Sequence, residues 1–112
     1  MAAFSVELRP LDAHGRRLVL SGEIDLASAD AIIRLGGEAL DHPDVSLLAV
    51  DVAAVTFIDS TALGTLVRLR NASLERGKNL RLDNVSDRVR RLLELTGLGV
   101  VFDTGRPDQP ND

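Results

Sequence analysis

Two short segments carry the polar groups best placed to do chemistry. One is Ser21-Gly22-Glu23-Ile24-Asp25; the other is Thr56-Phe57-Ile58-Asp59-Ser60-Thr61-Ala62-Leu63-Gly64. Each follows an apolar run and precedes a stretch of helical periodicity, so each reads as the exit from a strand. In an open parallel sheet, functional groups gather at such carboxyl ends. Local physics also offers Asp59-Ser60-Thr61 a plain role. Short oxygen-bearing side chains accept hydrogen bonds from the free N–H groups that open a helix, and a capping segment looks the same.

What is missing from the 112 residues narrows the chemistry further. There is no cysteine, which removes disulfides, thiolate metal sites and a cysteine nucleophile. His14 and His42 are the only histidines and lie far apart in the chain, so a histidine-based metal site is not expected. Neither a phosphate-cradling G-x-x-x-x-G-K-[ST] loop nor a G-x-G-x-x-G turn is present, so no cofactor is implied. Tryptophan and tyrosine are absent, Phe4, Phe57 and Phe102 are scattered, and the net charge is −4. A nucleic-acid partner would want a basic surface and stacking platforms, and is not expected.

The elements that position these segments follow from hydrophobic period. Phe4, Val6 and Leu8 alternate with polar residues, predicting a strand that Pro10 stops; a second runs from Arg17 to about Ile24, making an antiparallel hairpin. Ala29, Ile32, Ile33, Leu35, Ala39 and Leu40 then predict a helix from about Ser28 to Leu40, with Ser28 or Asp25 as cap and Gly36-Gly37 as a weakness. Ser46 to Val52 reads as a central strand covered on both faces, with Ala53 to Ile58 as connector. A second helix carries Leu63, Leu66, Val67, Ala72 and Leu74 and closes at Gly77. Leu80 to Leu82 is a short strand. Ser86 caps a third helix with Asp87 in its first turn and Gly97 past its end, and Val100 to Phe102 is a last strand.

Strand-helix-strand units force parallel pairing. The expected fold is one α/β domain over residues 1–102, a mostly parallel sheet of four to five strands with an antiparallel N-terminal strand and three to four helices. Residues 103–112 hold no aliphatic side chain and are expected to form a disordered tail. Met1-Ala2-Ala3-Phe4-Ser5 lacks the pattern of a signal peptide, and no apolar run approaches the ~18 residues needed to cross a bilayer. A cytoplasmic domain without membrane insertion is expected.

Gly22-Glu23-Ile24-Asp25, Leu48-Ala49-Val50-Asp51-Val52 and Val55 to Gly64, in that order, resemble the STAS domain, specifically a bacterial anti-sigma factor antagonist. The D-S-[ST]-x-L-G stretch is the most specific part; Thr61-Ala62 departs from the commoner Ser-Gly. The resemblance implies that an anti-sigma factor, itself a serine kinase, phosphorylates Ser60, with Thr61 a second hydroxyl beside it. It implies partner contacts at Asp25, Asp59, Ser60, Thr61 and Gly64, release of a sigma factor by the unphosphorylated form, and a serine phosphatase that resets the switch. The protein would be a kinase substrate and binding module rather than an enzyme, a monomer that forms a heterocomplex.

Other readings compete. STAS domains also serve stress-sensing assemblies and lipid or anion transport complexes. Asp25, Asp51 and Asp59 could instead suggest a receiver-like magnesium site with a phospho-acceptor aspartate. That layout wants an adjacent acidic pair early in the chain and a lysine after the last strand, whereas the only lysine, Lys78, precedes the fourth. Asp51 is expected to bond nearby backbone N–H groups. Gly22 is expected to serve the turn out of its strand, and Gly64 close packing against the sheet or a partner. Arg88, Arg90 and Arg91 read as a solvated helix face or part of an interaction surface.

Overall fold

The computed structural model describes residues 3–102. Four strands, β1 (Phe4–Asp12), β2 (Gly15–Ile24), β3 (Leu47–Ile58) and β4 (Asn79–Asp83), form one sheet in that order. β1 is antiparallel to β2, and β2, β3 and β4 run parallel. Helices α1 (Ala29–Asp41) and α2 (Ser60–Glu75) connect β2 to β3 and β3 to β4, α3 (Asp87–Thr96) follows β4, and a 3-10 turn at Leu26–Ser28 precedes α1. The mixed α/β architecture is the expected one. The tail expected at 103–112 lies outside the described residues.

The core is built from period-two and helical stripes that meet. Leu18 and Leu20 of β2, Leu48 and Val50 of β3 and Leu80 and Leu82 of β4 are buried against Ile32 and Leu40 of α1, Leu63, Leu66 and Leu69 of α2, and Val89 and Leu93 of α3. The opposite strand positions form charged rows. Glu7, Val19, Asp51 and Asp83 are register neighbours, as are Arg9, Arg17, Ala49 and Arg81. Three ion pairs tie the rows together: Arg9–Glu7, Arg17–Asp51 and Arg81–Asp83. The second face of β3 is therefore charged rather than apolar, and its buried Ala49 lies in register between two arginines.

Three expectations about strands fail for identifiable reasons. β1 does not stop at Pro10 but continues to Asp12, with a register irregularity between Pro10 and Asp12. It is an edge strand, where a missing N–H can face solvent at no cost to the ladder. β3 does not end at Val52, because the last residues of β2 supply a partner for 54–58: Ser21 pairs with Ala54, Gly22 with Val55, Glu23 with Phe57 and Ile24 with Ile58. Val100 to Phe102 is not a strand. Val101 N–H closes a turn on Leu98 carbonyl at 3.0 Å; Phe102 is buried in the core with Val101 half-buried against it, while Val100 is exposed.

Glycines and a lysine set the helix positions. At Gly36 an added Cβ would stand 2.6 Å from Leu69 Cδ2, so the glycine that weakens α1 locally permits α1 and α2 to close on each other. Lys78 Nζ donates to the carbonyls of Leu40 and His42 at 2.6 and 2.7 Å, holding the end of α1.

Candidate functional site

The parallel pairing of β2 and β3 ends at Ile24↔Ile58, and Asp59 N–H donates to Ile24 carbonyl at 3.3 Å. That bond brings the two polar segments to one edge of the sheet. Asp25 follows Ile24 and its Oδ1 accepts from Ala27 N–H at 3.0 Å, capping the 3-10 turn. Ser28, the other expected cap, is fully buried and donates instead to Asp25 carbonyl at 2.8 Å. It fixes the turn; it does not cap α1.

At the second segment the division of labour is clear. Asp59 is the N-cap of α2, its Oδ1 accepting from Ala62 N–H at 2.9 Å. Ser60 is the first helical residue, is exposed, and its hydroxyl has no hydrogen-bond partner among the described residues. Of the two readings of Asp59-Ser60-Thr61, capping belongs to Asp59 and leaves the Ser60 hydroxyl unused by the fold. Thr61 is exposed too, and its carbonyl takes the Thr65 hydroxyl at 3.2 Å. Among the free N–H groups of α2's first turn, a negative group at Ser60 would sit in a favourable dipole.

Gly64 follows one turn later. It is exposed, has an ordinary helical backbone, and an added Cβ would meet nothing within 4 Å. The expected packing against the sheet is absent. Gly22 differs from expectation in the other direction: it lies inside β2 with φ +80°, and a Cβ there would stand 2.1 Å from Ala3 carbonyl, which also accepts from Glu23 N–H. It serves a strand irregularity beside the site rather than a turn out of the strand.

Asp51 is fully engaged by the protein. Its carboxylate accepts from Arg17 Nη1 at 3.1 Å, Ala53 N–H at 3.0 Å and Asn84 Nδ2 at 3.1 Å. Burial alone would push its carboxyl above the usual range. The bonds from Ala53, Asn84 and Arg17, with the guanidinium charge, outweigh that and hold it below. Asp51 is thus a tie between β2, β3 and the loop before α3. No cluster of three metal-ligating side chains occurs among the described residues.

The structure adds three neighbours to the expected contact residues. Leu26 and Phe57, 73% and 47% exposed, flank Asp25 and Asp59, making the rim apolar as well as acidic. Their apolar character was legible, but their exposure depends on β3 continuing through 57. Arg88 is more than a solvated charge, since its Nη1 donates to Thr56 carbonyl at 3.2 Å and ties α3 to the end of β3. Arg90 and Arg91 make no such bond to β3.

Matching the whole chain against known proteins gives the same frame. A family model described as "Mlab, STAS domain" matches residues 9–103. The chain belongs to the STAS domain family. The anti-sigma-B factor antagonist of Listeria monocytogenes is 32% identical to this STAS domain over 102 residues, covering 88% of this chain and 86% of that protein. Among solved structures, the anti-sigma factor antagonist SpoIIAA in its unphosphorylated form superposes with a TM-score of 0.73 at 23% identity, over 93% of this chain and 90% of that one. The phosphorylated form of the Bacillus protein SpoIIAA gives 0.70 at 18% identity, over 93% and 94%. These two likenesses concern the fold of the STAS domain. Among the described residues no helix is long and apolar enough to cross a membrane.

Proposed function

We propose that this STAS domain is an anti-sigma factor antagonist whose binding is switched by phosphorylation of Ser60. The unphosphorylated form docks on an anti-sigma factor through the edge carrying Asp25, Asp59, Ser60, Thr61 and Gly64, and a sigma factor is released. The anti-sigma factor is a serine kinase that transfers phosphate to Ser60 Oγ; a serine phosphatase in the cytoplasm resets the switch. The chain acts as substrate and binding module, not as catalyst, and enters the heterocomplex as a monomer. The observation that carries this reading is the exposed, unbonded Ser60 hydroxyl beside a capping Asp59. The names of relatives of matching length support the partner class.

The switch needs no change of fold. A phosphate on Ser60 adds nearly two negative charges at the start of α2, which the helix dipole tolerates. A docked partner meets that charge beside the carboxylate of Asp59 in a patch losing water. Two like charges about 4 Å apart repel by roughly 4 kcal/mol at an effective dielectric of 20, about a thousandfold in affinity. The test is the affinity of Ser60→Asp and Ser60→Ala for the purified anti-sigma serine kinases of the source organism, with phosphosite mapping after incubation with ATP. The Ala variant is expected to bind and resist phosphorylation, and the Asp variant to melt like wild type yet fail to bind. Tight binding by the Asp variant would refute the charge mechanism, and phosphate on Thr61 alone would move the acceptor.

A second reading, a STAS subunit of a membrane transport assembly, rests on fold alone, which the chain shares with a structure of the murine anion transporter Slc26a9 at a TM-score of 0.68 and 14% identity over 85% of this chain. Recovery of transport subunits rather than a kinase in a pull-down with and without ATP would select it.

A further inference from the structure

The exposed stripe of α2 does not end at Gly64. Ser60, Gly64 and Arg68 are all exposed and recur every four residues, one face of the helix. At 1.5 Å per residue, Arg68 lies about 12 Å along the axis from Ser60. α1 packs beside α2, and the two helices line a groove of about 440 Å³ with Ala29, Asp30, Ile33 and Arg34 on one side and Arg68 on the other. Ile33 is only half buried, which leaves apolar surface in the groove.

Charge is the second feature of the groove. Arg9, Arg17, Arg76 and Arg81 each pair with a carboxylate, whereas Arg34 and Arg68 make no ion pair among the described residues. On a chain of net charge −4, the exposed Arg34 and Arg68 share a groove whose lining also holds Ala29, Ile33 and one acid, Asp30. Among the described residues neither side chain makes a hydrogen bond.

Building on the function proposed above, we propose that this groove is a second contact region for the anti-sigma factor, occupied by a carboxylate that the partner presents beside an apolar side chain. Guanidinium pairs suit that ligand, because each offers a planar fork of donors matched to carboxylate geometry. Asp30 repels a carboxylate at its own end and directs it toward Arg34 and Arg68. The separation also fits a switch. Arg68 stands about two helical turns from Ser60, so the groove and the acceptor hydroxyl occupy different places along the same face of α2. Recognition and release are thereby carried by different parts of one surface.

The test measures binding of the full chain to the purified anti-sigma serine kinases of the source organism, over a range of salt concentrations. Variants are Arg34→Glu/Arg68→Glu, Arg34→Ala/Arg68→Ala and, on distant β1, Arg9→Glu, with thermal melts to confirm folding. The reversal is expected to weaken binding at least tenfold and flatten its salt dependence, the alanine pair to fall between, and Arg9→Glu to match wild type. Phosphorylation of Ser60 in the reversal variant should show a raised KM with kcat nearly unchanged. If the reversal variant binds as wild type does while Ser60→Asp does not bind, the groove proposal is overturned and the switch stands. If wild type itself binds no anti-sigma factor, the switch proposal fails and the groove proposal falls with it.

Discussion

Gly64 and Gly36 both stand inside helices, yet the structure predicts opposite responses to alanine. A mid-helix glycine costs about 1 kcal/mol relative to alanine, partly through unfolded-chain entropy. At Gly64 the new Cβ meets no atom within 4 Å, so Gly64→Ala recovers that free energy, about 0.5–1 kcal/mol. For a domain of this size that raises Tm by roughly 3–6 °C. At Gly36 the same methyl would stand 2.6 and 2.8 Å from the two Leu69 methyls, overpacking the α1–α2 contact at a cost of about 1–3 kcal/mol. Paired thermal and urea melts of the two variants measure both signs. Under the docking proposal, Gly64 serves a partner that comes close to the α2 backbone, since no contact among the described residues requires a glycine there. Gly64→Ala is therefore expected to be more stable than wild type and to bind the anti-sigma factor at least tenfold more weakly, a loss that misfolding cannot explain. Destabilisation by Gly64→Ala would refute the packing argument, and a gain in stability with unchanged affinity would remove Gly64 from the docking surface.

Further outcomes follow from the same geometry. Asp59→Ala removes the Ala62 N–H cap and is expected to cost about 1 kcal/mol in a urea melt, whereas Ser60→Ala, which breaks no bond, should stay within about 0.5 kcal/mol of wild type. Asp51 has its carboxyl held below the usual range when folded, so its contribution is present above the unfolded value near 3.9 and is lost as pH falls through the lower folded value. Asp51→Asn should lower stability at neutral pH and lessen its decline below about pH 4, read from urea midpoints at each pH; an acid limb as steep as wild type would refute the assignment. Replacing Leu26 and Phe57 with serine should leave the melt nearly unchanged, since both are exposed, while weakening anti-sigma factor binding.

The helices and the strand order were legible in the sequence because they rest on local signals. Ser86 caps α3 by accepting from Val89 N–H at 3.2 Å, Gly97 adopts φ +75° past its end, and the stripes of α1, α2 and α3 enter the core, except that Leu74, expected on the α2 stripe, is exposed at the helix end and Leu69 is buried instead. The motif from Asp59 to Gly64 announced its family in the same way, through residue types at short spacing. What the sequence left open were features decided by partners far away in the chain. Whether β3 stops at Val52 depends on the backbone of Ser21 to Ile24, and whether Pro10 ends β1 depends on that strand lying at an edge. Asp59 and Ser60 are both good capping residues by type. Pairing of Ile24 with Ile58, which seats Asp59 on the Ile24 carbonyl and starts α2 at the next residue, assigned the cap to Asp59. The sequence by itself determined which residues could carry a switch. Tertiary structure determined that the Asp59 carboxylate is spent on the cap while the neighbouring Ser60 and Thr61 hydroxyls stay free, because a side chain's hydrogen bonds depend on where the backbone across the sheet places its donors.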